Sequence, residues 1–259
     1  ESVPNKTTFF EIINNGRNKD YENFPFWFSN FELKDENNFK SIYTTPSFDL
    51  KKNKSLNLKF SKKFQKKIIV NPRFIDNYKL GEKNIILQDS DLNLILLGLD
   101  EKVIFKKQLN SKIVSEIFQV DLYKNNRLQF IFLTETDLLV LDIKGNLVKK
   151  IALKKSVSNK YLSVFDYDNN RDYRFVIQIG NTLKMLDSKF KNVKGFKRTK
   201  VKSDIQQKLK HFRIMNKDYL ILIGQDGVPF IYDRRGNIRI KLPKNLIIDQ
   251  NDFYVNSDA

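Results

Sequence analysis

Cysteine is missing from the 259 residues, which excludes disulfides, thiolate metal sites and a cysteine nucleophile. Histidine occurs once, at His211, and tryptophan once, at Trp27. One imidazole cannot make a multi-histidine metal site. His211 opens a predicted strand beside Phe212, no triad partner stands out near it, and it reads as a structural residue. Trp27 lies outside the repeats described below, whereas quinone-cofactor dehydrogenase propellers carry a docking tryptophan in each blade. The WD dipeptides are also missing. There is no GxGxxG and no P-loop, so no glycine-rich cradle for phosphate. No apolar run is long enough to cross a bilayer as a helix.

What is present is a large apolar fraction, 41%, with 22 phenylalanines, enough for a substantial core. The formal net charge is +17 and the pI near 9.7. Such a balance fits a polyanionic partner. It also fits a solvated lysine surface: Lys, Asn, Ile and Phe are abundant together, as AT-rich coding produces. Lysine far outnumbers arginine, whereas bidentate recognition of phosphate and bases prefers arginine. The solvated surface is the favoured reading.

From about Asn71 the chain repeats. Phe74, Val120, Phe165 and Phe212 hold equivalent places at intervals of 46, 45 and 47 residues. Each marks a first strand: 72–78, 118–123, 163–168 and 211–216. Second strands are short apolar runs at 84–88, 129–134, 174–179 and 219–224, of the kind buried on both faces. Third strands at 92–98, 137–142, 182–187 and 229–233 end on Gly98, Asp142, Asp187 and Asp233. Tight turns follow, twice marked by Gly-Asn, at Gly145-Asn146 and Gly236-Asn237. Fourth strands are expected at 103–109, 147–153, 193–198 and 238–244, the most basic of the set.

Four short antiparallel strands per unit, recurring every 45 residues or so, predict an all-β chain of β-propeller blades. The blades fall at about 71–114, 115–160, 161–208 and 209–248. Residues 1–70 read as a divergent N-terminal segment supplying strands of an additional blade. Residues 249–259 read as the start of a further blade or a closing strand, so a partial propeller is expected. Lys106-Lys107, Lys149-Lys150, Lys197-Arg198 and Arg239 with Lys241 fall on the outermost strands, where lysine blunts unwanted strand addition.

The stretches EKNIILQDSDLNLILLGLDEKVIFKKQLN (82–110), QVDLYKNNRLQFIFLT (119–134), VLDIKGN (140–146), LSVFDYDNNRDYRFVIQIG (162–180), VKGFKR (193–198) and HFRIMNKDYLILI (211–223) resemble a family of uncharacterised Bacteroidota cell-envelope proteins with propeller-like C-terminal repeats. The resemblance implies an exported protein of the periplasm or outer membrane, without an established activity.

One loop carries a metal-like pattern. Asp166, Asp168, Asn170 and Asp172 alternate oxygen ligands as a calcium loop does. Arg171, however, stands where such a loop wants glycine, and the corresponding loop at Asp121 has lost most ligands. Asn and Asp also favour a plain hairpin turn, which is the reading preferred here. The remaining aspartates recur once per blade at turns, as a fold repeat requires, and offer a two-metal nuclease no converging acids. Aromatic-lysine interleaving at Phe60–Phe64 and Phe105–Lys107 could stack bases, but these aromatics coincide with strand faces and read as core.

The sequence therefore predicts a non-enzymatic interaction or scaffold module, with no catalytic residue and no cofactor. Its partners would be other envelope proteins or further blades of its own chain. The alternative is a binder of nucleic acid or acidic glycan, or an enzyme, using the basic surface. The expected contact regions are the blade-joining loops Asn110–Glu116, Lys154–Lys160 and Lys200–Lys210.

Overall fold

Runs of β-branched and aromatic residues, cut by Asp-, Asn- and Gly-bearing turns, leave the backbone little choice but short hairpin-linked strands. The computed structural model has this form throughout its described residues: 28–35, 38–44, 57–77, 81–153, 159–197, 200–214, 216–242 and 247. The segment 252–258, Trp27 and Arg198 lie outside them. The chain divides into two compact units, Glu1–Leu109 and Asn110–Ala259.

The first unit holds two antiparallel sheets. One joins β1 (Phe28–Asp35), β2 (Asn38–Thr44) and β3 (Asn57–Lys63) in that order; the other joins β4 (Ile68–Asn77), β5 (Glu82–Asp89), β6 (Asn93–Leu97) and β7 (Val103–Gln108). The strand read from residue 72 thus begins earlier, at Ile68. In β6 every residue is buried, as in a strand covered on both faces. Its core gathers Ile68, Ile85, Leu87, Ile95 and Leu97, with Phe64 packed against them. Phe105 of β7 is also buried. These phenylalanines serve packing, as the sequence indicated.

The second unit holds three sheets. They are β8 (Phe118–Val120), β9 (Gln129–Leu133), β10 (Asp137–Leu141) and β11 (Leu147–Ala152); then β12 (Lys160–Phe165), β13 (Arg174–Ile179) and β14 (Thr182–Leu186); then β15 (Lys210–Ile214), β16 (Lys217–Ile223), β17 (Pro229–Tyr232) and β18 (Ile238–Ile240). Strand order follows chain order in each. The middle sheet is apolar on both faces. Leu162, Phe175, Ile177 and Leu186 pack on Val120, Ile131, Leu133, Leu138 and Val140 of the preceding sheet. Phe165, Val176, Leu183 and Met185 pack on Leu220, Leu222 and Tyr232 of the following one. Full burial of each such side chain is worth roughly 1.5–3 kcal/mol.

The sheets are set as a fan within this unit. Lys208 Nζ lies 2.6 Å from Glu116 Oε1, although Lys208 leads into β15 and Glu116 into β8, with the middle sheet between. Three flat sheets spaced about 10 Å apart would hold the outer two beyond the reach of a lysine and a glutamate. The two can meet only if the leading ends of the first strands converge, which is the geometry of propeller blades.

One expected strand is not formed among the described residues. Residues 194–197 do not continue the third blade's sheet, which the chain meets again where Lys200 bridges to Thr182. Pairing with β14 starts, with a bridge from Leu186 to Asn192 and Val193 N–H donating to Met185 O at 3.0 Å. The chain then turns at Lys194-Gly195, where Gly195 sits at φ +86°, a conformation that costs glycine little. Val193 and Phe196, three apart, both pack against the core, whereas strand alternation would send them to opposite faces. The Lys197 N–H donates instead to Arg235 O, at 2.8 Å, on the turn after β17.

Candidate interaction surface

The turns and loops decide which charges are spent internally. The hairpins after β10 and β17 share one design. The Asp142 N–H donates to Asn146 O at 2.9 Å, and Gly145, at φ +81°, completes the turn. Asp142 Oδ1 accepts the N–H groups of Lys144 and Asn146, both at 2.8 Å, and Oδ2 accepts the Asn146 amide at 2.9 Å. Asp233 repeats this with Arg235 and Asn237. Asp187 binds the N–H groups of Lys189 and Lys191. For Asp142 and Asp233 burial acts to raise the carboxyl pKa, but the asparagine and backbone donors outweigh it and hold it below the usual carboxylate range.

The calcium-like loop is built the same way. Asp166 Oδ1 accepts from Asn170 N–H at 3.0 Å and Oδ2 from Arg171 N–H at 2.8 Å. Asn170 Oδ1 accepts from Asp172 N–H at 2.9 Å. The corresponding loop one blade earlier matches it: Asp121 accepts from Asn125 and Asn126, and Asn125 from Arg127. The remaining two acids face cations. Asp172 pairs with Lys124 at 2.8 Å, and this ammonium holds its pKa down. Asp168 faces Arg213 at 3.4 Å and Arg234 at 3.3 Å. The four side chains thus close a turn and join blades. Among the described residues no three His, Asp or Glu side chains converge as a metal site would require.

These contacts clasp neighbouring blades. Arg171 reaches the buried Asp121 at 2.6 Å, and the Tyr173 hydroxyl accepts from Asp121 N–H at 3.1 Å. In the next pair, Arg213 donates to Tyr167 O at 2.6 Å. His211 Nε2 lies 2.9 Å from Asp218 Oδ1, and Asp218 Oδ2 lies 3.3 Å from Arg234. The His211 ring stands edge-on to Tyr167 at 4.8 Å. His211 is thus packed between an aromatic wall and a buried carboxylate that an arginine already holds. Burial pushes the Tyr167 phenol pKa far up, and Asp218 adds to this.

Two of the blade-joining loops expected as contact regions, 110–116 and 200–210, are fastened to the sheets, with Lys200 and Lys202 left exposed. Ile113 bridges to Thr134, and Ile205 to Gly224. Val201, Ile205 and Leu209 are buried, and Ser163 Oγ and Gln178 Oε1 hold Leu209 from both backbone sides. In the loop 154–160, residues 154–158 lie outside the described set, and Lys160 is buried.

The surface that remains unspent is the stretch that leaves the third blade. Residues 189–202 contain seven cations and no carboxylate. Lys189, Lys191, Lys194, Lys197, Lys200 and Lys202 are all exposed. Arg235, exposed as well, is joined to Lys197 through the backbone. The two nearest acids in sequence are Asp187, occupied by backbone donors, and the exposed Asp204, two residues beyond Lys202. Val193, Phe196 and Val201 anchor the stretch to the core, so it is held in place while its lysines face water. Lys197, expected with Arg198 to protect a strand edge, belongs to this stretch instead, and the expected contact loop Lys200–Lys210 supplies Lys200 and Lys202. The signal available was the density of lysine without an acid. By contrast, Lys150 on β11 is paired with Asp137 at 3.4 Å, and Arg239 on β18 stacks over Tyr219 at 5.1 Å.

No family model matches the chain, and no curated protein matches it. Among solved structures it is similar to BBS1N, crystallised in complex with ARL6DN and soaked with lead. The identity is 12%, the TM-score 0.55, and the match covers 83% of this chain and 62% of that one. A mercury-soaked crystal of the same complex gives the same figures. A protein of unknown function from Bacteroides caccae matches at 9% identity and a TM-score of 0.42, covering 82% of this chain and 80% of that one, too loosely to argue from. The BBS1N likeness shows the fold: BBS1N is a β-propeller, and this all-β chain is built of the same kind of antiparallel blades. The chain spans 62% of the length of the BBS1N chain it matches. No helix among the described residues is long and apolar enough to cross a membrane.

Proposed function

We propose that this chain is a non-enzymatic protein-interaction module: a clasped set of propeller blades that presents a fixed surface to another protein. The observation that supports this reading is the stretch from Lys189 to Lys202. It leaves its sheet edge after Val193 and rejoins it where Lys200 bridges to Thr182, is pinned at Val193, Phe196 and Val201, and displays exposed lysines. A surface fixed before binding loses little conformational freedom on docking. BBS1N was crystallised in complex with ARL6DN, so a fold of this kind serves protein binding elsewhere. A setting in the bacterial cell envelope, with envelope proteins or further blades of its own chain as partners, rests on the resemblance of the repeat stretches alone.

The test is purification of the intact protein from its own cell after mild in-cell cross-linking, with partners identified by mass spectrometry. A stoichiometric protein partner that resists high salt only when cross-linked is expected. Recovery of nucleic acid or glycan in place of protein would overturn the reading.

A further inference from the structure

We infer that the partner contacts this protein through an acidic segment, docked on the band formed by Lys189, Lys191, Lys194, Lys197, Lys200 and Lys202 with Arg235. The inference rests on the interaction reading above and adds the chemistry of the partner.

Three features select the ligand. First, the charge within 189–202 is of one sign, and only Lys189 acts on a nearby acid, helping to hold the Asp172 pKa down. None of these side chains is ion-paired with a described residue, whereas Lys66, Lys83, Lys102, Lys124, Lys150 and Lys208 all have acidic partners. An unspent cation cluster raises the local concentration of an anionic partner and speeds its capture.

Second, the aromatic residues within the band face inward. The Phe190 ring stacks on Phe175 at 5.1 Å between centroids and an interplanar angle of 9°, and Phe196 packs on the core. The band therefore offers no exposed ring on which a base would stack, the usual means of holding a single nucleic acid strand. Its cations are almost all lysines, point charges on long stems that match scattered carboxylates, and not the planar forks that read phosphates and bases.

Third, none of the large exposed apolar residues falls within the band; they lie at Leu99, Val103, Ile104, Tyr123, Leu147, Ile214, Ile238, Ile240 and Ile247. A membrane-surface site combines basic residues with apolar ones that enter the interface. The band has only the first half. An acidic protein segment fits the whole set.

The experiment measures fluorescence anisotropy of a short labelled Asp/Glu peptide on the full chain. A single-stranded oligonucleotide and phosphatidylserine vesicles are compared at equal charge. The test variant is K189Q/K191Q/K194Q/K197Q. The control, K106Q/K144Q/K149Q/K217Q, removes as many exposed lysines elsewhere. Peptide binding is expected to weaken about tenfold in the test variant and to stay within about twofold in the control. It should also fall as salt rises from about 50 to about 300 mM. Equal loss in both variants, or tighter binding of oligonucleotide or vesicles than of peptide, overturns the inference. Unchanged melting temperature of both variants removes misfolding as a cause. If a cellular protein partner is recovered equally by wild type and test variant, the acidic-segment inference falls while the interaction reading stands. If peptide binding depends on the band yet no protein partner is recovered from cells, the reverse holds.

Discussion

Lys208 and Glu116 occupy the same place in the repeat two blades apart, just before the first strand, and their side chains meet at 2.6 Å. The position between them, Tyr161, sends its hydroxyl to Gln206 O. Three equivalent positions on consecutive blades thus gather at one end of the unit. A double-mutant cycle of E116A and K208A is expected to show a coupling of about 0.5 kcal/mol, since both side chains are partly exposed and solvent screens the pair. The swap E116K/K208E should restore what E116K alone loses. A coupling of zero, read from urea unfolding, would contradict the fan.

Gly98 and Gly224 show how one turn is built two ways. Where Asp142 and Asp233 open their turns, glycine opens these, and the carboxylate comes from the third position: Asp100 accepts from Lys102 N–H at 3.2 Å and Asp226 from Val228 N–H at 3.2 Å. A Cβ on either glycine would collide with that carboxylate. G98A is therefore expected to push the exposed Asp100 carboxylate off the Lys102 N–H, at a cost of up to about 1 kcal/mol of unfolding free energy. The relocated design G98D/D100S should recover most of it. Failure of the double variant to exceed G98A in chemical denaturation would show that the two turn types are not interchangeable.

Much of the fold was legible in the sequence. Apolar runs such as 129–134 and 174–179 carry strands buried on both faces, and Phe74, Val120, Phe165 and Phe212 mark the repeat. Turn chemistry was legible at Gly145 and Gly236, where positive φ is needed, but not at Phe190 or Glu101, which adopt it without glycine. The interruption of the strand at 194–197 was hidden because Val193 and Phe196 both read as strand residues. Only their common inward packing, with the reversal at Gly195, separates them. The function of Asp168 and Asp172 was hidden for a related reason: their partners, Arg213, Arg234 and Lys124, lie about one blade or more away in sequence, where local spacing says nothing.

Arg171 does two things at once. Its guanidinium holds the buried Asp121, and its backbone sits at φ +65°, which costs a side-chain-bearing residue about 1 kcal/mol or more. R171A should lose about 1 kcal/mol from the charge-assisted bond and keep the strain. R171G should lose the same bond but shed the strain, leaving it more stable than R171A by up to about 1 kcal/mol. Equal melting temperatures for the two would refute the backbone part of this account.

Acid should loosen the turns in a definite order of sign. The folded pKa of Asp233 lies below its ordinary value, so its contribution is fully present above about pH 4. It is lost as pH falls through the folded pKa. D233N keeps one acceptor but sets an amide against that of Asn237, so it should be less stable than wild type at neutral pH by under about 1 kcal/mol, the turn being open to solvent. The gap should close as pH drops below about 4. A gap that widens on acidification, followed by urea unfolding at stepped pH, would reverse the assignment.

Tyr167 is the test of how tightly the His211 cluster is satisfied. Its ring is held by Phe165 at 5.7 Å, by His211, and by the Arg234 guanidinium at 5.9 Å. Its hydroxyl is buried without a hydrogen-bond partner. A buried hydroxyl in that condition costs about 1–3 kcal/mol, while the ring alone supplies the packing. Y167F is therefore expected to stabilise the protein by about 1 kcal/mol, and Y167A to destabilise it by about 3 kcal/mol or more. H211Q separates the two roles of the imidazole: it keeps a donor within reach of Asp218 but removes the edge-on ring, so it should cost less than H211A. Calorimetric unfolding of the four variants decides the point. A loss of stability in Y167F would mean that the hydroxyl is engaged, and would return this cluster to consideration as a place where something binds.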